Sequence, residues 1–252
     1  IHRVIYKLSK EPLVSIIIPI KDRIELLESC INSIIDKTDY SNYEIIIIDN
    51  QSIEFKTKLF LDDLVKSRDN ISVIRYNKPF NYSDINNIAV KKAKGEVLCF
   101  LNNDTEVVSP NWLYELVSHA IREDIGAVGP KLLYENGTIQ HAGVFLGYKG
   151  LAGHIYRYMP SDYWGSWAKG LLVQNVSAVT GACLVVRKSI FEEVGGFDSE
   201  NLPIVFNDID FCLKLLSRGY RNVYTPNAVL IHKESVTRGT LAYISEEIFF
   251  QN

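Results

Sequence analysis

The stretch "GEVLCFLNNDTEV", residues 95–107, decides the fold of this 252-residue chain. Residues 97–101 are apolar throughout and follow a glycine turn, a pattern that predicts a short strand covered on both faces. The strand ends at Asn102, Asn103 and Asp104, short polar side chains that a buried strand would not carry. Ligands of open α/β sheets bind in the crevice outside the carboxyl ends of the strands. The polar residues therefore mark a candidate site, and the alternative is an Asx turn that only caps the next helix.

Four β-rich runs in the first half of the chain alternate with amphipathic segments, an order typical of a parallel sheet. The predicted strands are residues 14–19, 43–49, 71–76 and 96–101. Asp22 is expected to be the N-cap of the first helix, and a later helix over 83–94 is expected to stop at Gly95. The helix after "NND" is expected to start with Ser109 as N-cap and Pro110 at its first position.

The second half has a different texture, with strand-like runs and one clear helix, "NDIDFCLKLLSRG", that ends at Gly219. The runs are "IGAVGPKLLY", "TIQHAGVFLGY", "VQNVSAVTGACLVVRK" and "RNVYTPNAVLIHK". We expect them to form a mixed sheet that packs onto the first half. Residues 147–172 are rich in Gly, Tyr and Trp without periodicity, which predicts a mobile loop serving as a platform or lid.

Composition narrows the class of protein. With 27 Lys and Arg against 30 Asp and Glu, the net charge is -3 and no helix carries a basic stripe, which argues against a nucleic-acid partner. The cysteines form no CxxC pair and lie in apolar runs, which predicts buried reduced thiols in the cytoplasm; they are Cys30, Cys99, Cys183 and Cys212. We expect no membrane span, because no apolar run reaches ~18–20 residues. Peripheral membrane association stays open, as does excision from a larger protein, since the chain lacks an initial Met.

Two more polar clusters follow predicted strands, "PIKDR" after the first and "IDNQS" after the second. Carboxyl ends of parallel strands meet at one edge, so three clusters converge there. The rim lacks the glycine loops GxGxxG and GxxxxGK[ST], which argues against a dinucleotide dehydrogenase or a P-loop enzyme. Such a rim can hold phosphate through a divalent cation instead. The pattern therefore predicts Asp104 as a metal ligand, with Asn103 or Asn102 adding an oxygen or a hydrogen bond.

The chain also contains a longer series of motifs in a fixed order: "SIIIPIKDR", "EIIIIDNQS", "FNYSDINNIAVKKAKGE", "LCFLNNDTEV", "VTGACLVVRKSIFEEVGGFD", "FNDIDFCLKLLSRGY" and "IHKES". This series resembles the family 2 glycosyltransferases over roughly residues 12–238. The resemblance implies an α/β GT-A fold, with a Rossmann-like, mostly parallel sheet, helices on both faces and a mixed-sheet acceptor half. It implies a single domain over 1–252, divided into a nucleotide-sugar-binding half (1–125), a metal and acceptor half (126–240) and a C-terminal helical tail (241–252).

The resemblance also implies roles for individual residues. The set expected around the donor nucleotide is Pro19, Ile20, Asp22, Asp49, Asn50, Ser52, Asn87 and Asn103. Asp49 is expected to read the base. Asp104 would be the metal-binding end of the family's Asp-x-Asp signature and His232 a further ligand, for Mn²⁺ or Mg²⁺. Without the motif, His232 would count as an ordinary half-buried histidine.

"FNDIDFCLKL" matches a segment that in many relatives reads Glu-Asp-x-Asp, which makes Asp208 the implied catalytic base. An inverting transfer is one displacement, so it needs a base for the acceptor hydroxyl and a Lewis acid for the leaving diphosphate. Asp208 and Asp210 could instead stabilise the first turn of their helix, and for Asp210 that alternative is preferred. The residues expected on the acceptor side are Trp164, Trp167, Gly181, Ala182 and Asp210.

Two hypotheses follow from these residues. The first is a metal-dependent, inverting hexosyltransferase of polysaccharide biosynthesis that uses a UDP-sugar and a glycan, lipid-linked or glycoprotein acceptor. The second is a non-catalytic sugar-nucleotide or glycan-binding domain of a larger transferase, kept open by Asn102 and Asn207 where relatives commonly carry acids. A nucleotidyltransferase is disfavoured, because "PIKDRIELL" offers no glycine-rich loop. Either form could be a homo-oligomer or part of a multidomain transferase.

Overall fold

The computed structural model describes residues 3–147 and 151–233. Its strands are β1 Val14–Ile20, β2 Tyr43–Asp49, β3 Ile71–Arg75, β4 Val97–Leu101, β5 Thr105–Val107, β6 Ile125–Leu133, β7 Ile139–His141, β8 Val144–Leu146, β9 Ala152–His154, β10 Gln174–Val176, β11 Cys183–Arg187 and β12 Arg221–His232. Its helices are α1 Ile24–Lys37, α2 Phe55–Ser67, α3 Tyr82–Val90, α4 Trp112–Ala120, α5 Lys188–Glu193 and α6 Asn207–Ser217. The predicted tail over 241–252 lies outside the described residues.

One large sheet organises the described chain, in the order β10-β12-β6-β11-β4-β1-β2-β3. β5 adds to β12, and β7 adds to β6. β1 pairs in parallel with β2 and β4, and β2 in parallel with β3. β11 is antiparallel to both of its neighbours, β4 and β6. The expectation of a parallel first half joined to a mixed second half is confirmed.

Strand direction brings distant parts of the sequence to one edge of this sheet. Two antiparallel steps through β11 restore the direction, so β6 runs parallel to β4, and β12 is parallel to β6. The carboxyl ends of β1, β2, β4, β6 and β12 therefore share an edge. The chain also runs from β1 out to β3 and returns to β4 on the other side of β1. That reversal is a topological switch point, where open α/β sheets bind ligands.

Alternation along the strands builds a hydrophobic core on each face of the sheet. Ile16 and Ile18 join the core that α1, α2 and α4 cover, while Ile17 joins the core under α3, α5 and α6. All three isoleucines are fully buried, and each such side chain contributes about 1.5–3 kcal/mol relative to exposure. Helices therefore cover both faces, as expected.

The beginnings of two helices differ from the predictions. Arg23, with φ 57°, occupies the N-cap position of α1, and Asp22 accepts backbone hydrogen bonds from Ile53 and Glu54 instead. The predicted N-cap role of Asp22 is therefore wrong. α4 begins only at Trp112, so Ser109 and Pro110 are neither its N-cap nor its first residue. Ser109 is used across the sheet edge, where its Oγ accepts from the backbone N–H of Val229 at 2.8 Å.

The end of α3 differs as well. The helix begins after Asn81, whose side chain accepts from the Asp84 N–H at 2.8 Å, and stops at Val90, so Gly95 does not terminate it. Gly95 lies instead just before β4, against the start of the neighbouring strand β1. A Cβ there would stand 2.6 Å from the backbone nitrogen of Ser15 and 2.8 Å from the carbonyl oxygen of Leu13. The glycine is required by close backbone contact.

The expected helix stop at Gly219 and the expected buried thiols are confirmed. Gly219 follows α6 with φ 89°, and Gly195 with φ 81° follows α5, so both act as helix stops. The four cysteines are buried free thiols, and burial raises the pKa of Cys30 to about 12. Within the described ranges, we find no helix of the length and apolarity that a membrane crossing requires.

Candidate active site

A cleft of about 540 Å³ opens at the switch point, between the segments that follow β1 and β4. Its lining residues are Pro19, Ile20, Lys21, Asp22, Arg23, Glu54, Phe80, Tyr82, Asn102, Asn103, Asp104, Ile204 and His232. Seven residues predicted for the site are among them: Pro19, Ile20, Asp22, Asn102, Asn103, Asp104 and His232. The polar residues after β4 therefore line the cleft in addition to forming a turn.

Asp104 and His232 form a close pair in this cleft. The Nε2 atom of His232 lies 3.1 Å from Oδ1 of Asp104 and 3.3 Å from Nδ2 of Asn102. Both members of the pair are buried, with 5% of Asp104 and 7% of His232 exposed. Asp104 follows β4 and His232 ends β12, so the shared strand direction brings together residues far apart in sequence.

Gln140 on β7 orients the histidine. Its Oε1 lies 2.7 Å from Nδ1 of His232, and its Nε2 donates to the backbone oxygen of His232 at 3.3 Å. An amide oxygen can only accept, so Nδ1 donates a hydrogen bond to Gln140, and Nε2 is the ring atom that faces the Asp104 carboxylate. An imidazole nitrogen and a carboxylate oxygen 3.1 Å apart are close enough to bind the same cation. The donor set therefore fits a divalent cation, and the amide of Asn102 competes for Nε2.

Asp49 and Ser52 belong to a polar network that joins the ends of three strands. The carboxylate of Asp49, buried at the end of β2, forms an ion pair with Arg75 and accepts from the Ser52 N–H at 3.0 Å. The hydroxyl of Ser52 accepts from the Asp22 N–H at 2.8 Å. Asp49 thus lies behind the cleft wall rather than in the lining, and its contact with a base remains a prediction.

Two predicted asparagines bond to the protein backbone. Asn50 donates to the carbonyls of Tyr76 and Lys78 at 3.2 and 2.9 Å. Asn87 makes a reciprocal pair with the backbone of Phe197, at 2.8 and 3.1 Å. These bonds give both residues a structural function, and both stand outside the set that lines the cleft.

Asp208 does not line the cleft, and Gly181 connects it to the cleft residue Tyr82. Its Oδ2 accepts from the Gly181 N–H at 2.7 Å, and its Oδ1 accepts from the Ile209 N–H at 2.9 Å. The carbonyl of Gly181 accepts in turn from the hydroxyl of Tyr82, a cleft residue, at 2.9 Å. The carboxylate is half-buried and held at both oxygens. It is also in the first turn of α6, so the helix-end alternative and the base alternative use the same position.

The remaining acceptor-side residues lie outside the cleft lining. Asp210 forms an ion pair with Lys214 at 2.7 Å within α6. Trp164 and Trp167 are 65% and 90% exposed, so they belong to the surface and not to a core. Ala182 is buried, and its carbonyl accepts from the Asn102 N–H at 3.0 Å, which connects β11 to the polar rim.

Several cleft residues had no predicted role. Lys21 and Arg23 lie in the rim motif "PIKDR", a signal that could have identified them, and Glu54 comes two residues after the motif "IDNQS". Tyr82 has no such signal, because it begins α3 and does not follow a strand. Gln140 carries no sequence signal either.

The chain matches the family model described as Glycosyl transferase family 2 over residues 15–195. It is 42% identical to the O-antigen biosynthesis protein RfbC of Myxococcus xanthus over 243 residues, covering 94% of this chain and 18% of that protein. It is 44% identical to an uncharacterized protein, y4gI, of Sinorhizobium fredii, covering 94% of this chain and 26% of the relative. The chain therefore spans about a quarter or less of these relatives.

Solved structures with a similar fold include a mannosyltransferase from Pyrobaculum calidifontis in complex with GDP-Man and Mn²⁺. Its TM-score is 0.67 at 16% identity, over 91% of this chain and 59% of that one. GalNAc-T7 with UDP, GalNAc and Mn²⁺ is similar with a TM-score of 0.74 at 20% identity, over 89% and 44% of the two chains. At these identities the likeness concerns the fold, and it confirms the expected GT-A architecture.

Proposed function

Because the chain belongs to glycosyl transferase family 2, we propose that it is a metal-dependent, inverting glycosyltransferase domain that moves a hexose from a UDP-sugar to a hydroxyl acceptor. The observation that carries the proposal is the pairing of Asp104 with His232 at 3.1 Å in the cleft at the switch point. We further propose that residues 1–252 form one transferase domain of a larger protein.

A Mn²⁺ or Mg²⁺ ion would be held by a carboxylate oxygen of Asp104 and Nε2 of His232. No closed cage of three or more His, Cys, Asp or Glu residues exists among residues 3–147 and 151–233. Two protein ligands leave coordination positions for phosphate oxygens and water, the usual arrangement where a cation binds a nucleotide. When bound, the ion neutralises charge on the leaving diphosphate. The names of both structural relatives include Mn²⁺ and a nucleotide or nucleotide-sugar, which supports the assignment.

The side chains around the cleft assist donor binding. Lys21 and Arg23 are cations at the end of β1 and suit the phosphate charges, and Tyr82 and Phe80 supply ring surface. Gln140 accepts from Nδ1 of His232 and so keeps Nε2 directed at Asp104.

Asp208 is the proposed base. Its carboxylate takes the proton of the acceptor hydroxyl while that oxygen bonds to the anomeric carbon and the bond from this carbon to the diphosphate oxygen breaks. The hydrogen bonds from Gly181 and Ile209 fix the orientation of the carboxylate and leave each oxygen another lone pair. A general base of this kind contributes about 10²–10⁴ in rate.

One observation favours the second candidate, a sugar-nucleotide-binding domain without catalysis. Asn102 Nδ2 lies 3.3 Å from Nε2 of His232, the nitrogen that the ion requires. If the Asn102 amide keeps this nitrogen from the ion, the cleft would bind the donor weakly in the presence of metal and would transfer no sugar.

Calorimetry with UDP tests the donor side. The wild type should bind UDP more tightly with Mn²⁺ than with chelator, and Asp104→Asn should abolish the difference. Glu106→Gln is the matched control, since Glu106 is a nearby carboxylate that pairs with Lys233 at 2.5 Å and lies outside the cleft lining. Equal affinity in metal and chelator for the wild type would overturn the metal assignment. UDP binding without transfer from any UDP-hexose would favour the binding domain.

A further inference from the structure

An exposed aromatic surface follows the cleft along the same edge of the sheet, outside the residues that line the cleft. Tyr158 is 63% exposed and Met159 is 42% exposed, and the same segment of the chain carries the two exposed tryptophans, Trp164 and Trp167. A group of exposed aromatic side chains typically marks a binding surface.

The surface is attached to the same short strand as the candidate metal ligand. The backbone N–H of Tyr158 donates to the Ile139 carbonyl at 2.7 Å, and the Ile139 N–H donates to Met159 at 2.7 Å. The next residue of β7 is Gln140, which bonds His232. Tyr134 follows β6 directly, and the pairing of Leu133 with Ile231 places it beside His232.

Two tyrosines and an arginine form a flat, ordered unit, which we call the tyrosine platform: Tyr134, Arg157 and Tyr158. The tyrosine rings are stacked, with centroids 5.4 Å apart and an interplanar angle of 7°. Arg157 Nε donates to the Tyr134 hydroxyl at 2.7 Å, and its guanidinium carbon lies 4.9 Å from the centroid of the Tyr158 ring. Such contacts pre-organise the rings before any ligand arrives.

A buried lysine holds the following residues against the sheet. Lys131, on β6 and 6% exposed, donates from Nζ to the Ser161 carbonyl at 2.9 Å. Burial lowers the pKa of Lys131, while the charge of Asp162 opposes that shift. The Thr138–Pro160 bridge adds a second attachment. The platform is therefore part of the folded sheet edge.

We propose that the tyrosine platform binds a sugar ring of the acceptor, so that the acceptor is a glycan chain. A pyranose presents a face of C–H groups that matches an aromatic face, and an edge of hydroxyls that matches the guanidinium and phenol groups at this rim. A membrane surface would fit less well, because Glu135 beside Tyr134 exposes 69% of its side chain. The inference rests on the proposed transferase function, since the glycan bound here would extend its end into the cleft.

The test uses an immobilised array of bacterial surface polysaccharides and their oligosaccharide fragments, probed with the full chain in chelator and without donor. Tyr158→Asn removes the ring and tolerates the backbone φ of 68° better than alanine would. Tyr158→Phe keeps the ring. Tyr220→Asn is the control, since Tyr220 is a half-buried tyrosine at the opposite end of β12 that bonds Glu193.

The wild type should retain one class of glycan, and solution titration with the best-retained oligosaccharide should show about tenfold weaker binding by Tyr158→Asn. Tyr158→Phe and Tyr220→Asn should stay within about twofold of the wild type. All variants should keep wild-type UDP affinity in Mn²⁺, which shows that the cleft is intact. A wild-type array profile equal to that of Tyr158→Asn overturns the platform, whereas glycan binding without UDP binding would overturn the transferase proposal alone.

Discussion

Among single residues, Asp208 carries the most direct consequence for catalysis. Asp208→Asn should lower transfer about 10²–10⁴-fold, because the amide cannot take the acceptor proton. UDP affinity in Mn²⁺ should change little, since Asp104 and His232 are untouched. Initial rates with a proven acceptor, together with calorimetry, measure both quantities.

Asp210→Asn serves as the control for this change. Asp210 is in the same helix turn and pairs with Lys214 at 2.7 Å, so its loss should cost less than about 1 kcal/mol of stability and little activity. Near wild-type transfer by Asp208→Asn would show that the base is another residue.

Gln140 is a positioning residue whose effect should appear in metal affinity. Gln140→Leu removes the acceptor at Nδ1 of His232. The factor by which Mn²⁺ strengthens UDP binding should therefore fall about 10–100-fold. Gln140→Glu restores an acceptor at Nδ1 and should recover part of the effect of Mn²⁺ on UDP binding. UDP affinity in chelator should be equal in all three proteins; a loss there would mean that Gln140 acts only through the fold.

Among the elements, the close approach of the chain before β4 to the start of β1 depends on Gly95. Gly95→Ala should lower the free energy of unfolding by about 1–3 kcal/mol, because the new Cβ would meet Ser15 N at 2.6 Å and Leu13 O at 2.8 Å. Urea denaturation measures the change. Ser15→Ala in the same chain removes the Ser15 Oγ contact at 2.7 Å but should not restore stability, since Ser15 N and Leu13 O belong to the backbone; full recovery would place the clash on the Ser15 side chain.

α4 is joined to the N-terminal segment and to β12 by Glu115, which predicts acid sensitivity. Burial would raise the pKa of this carboxyl, but hydrogen bonds from His119, Thr225 and Arg3 lower it to about 2, against 4.5 in the unfolded chain. The stabilisation, about 3 kcal/mol, is complete above pH 4.5 and is lost as the pH falls towards 2. The difference in unfolding free energy between the wild type and Glu115→Gln should therefore be larger at pH 7 than at pH 3. A difference independent of pH would contradict the ion pair.

For the whole molecule, the four buried thiols report global unfolding. Burial raises the pKa of Cys30, Cys183 and Cys212, so thiolate is scarce and inaccessible in the folded state. A thiol reagent at pH 8 should label all four cysteines at one rate, equal to the rate of global unfolding. Fast labelling of one cysteine in native buffer would show that part of the core opens separately.

The sequence by itself determined the strands, the two-faced core and the polar edge. These features are local. Each apolar run, with its alternating side chains, is followed directly in the chain by the polar residues that end it. Asp104 could be identified in this way, since it directly follows a buried strand. The helix ends at Asp22, Ser109 and Gly95 were predicted wrongly, because at each the local capping rule was overridden by a contact with another element.

Only the tertiary structure decided which polar groups face the cleft. Asp49 turns to Arg75, 26 residues away, Asn87 to Phe197, 110 residues away, and Gln140 to His232, 92 residues away. Each partner is chosen by strand order and register, and no local pattern encodes them. A buried polar group must find a partner wherever the packed chain supplies one, so its role follows from the fold and not from its neighbours in sequence.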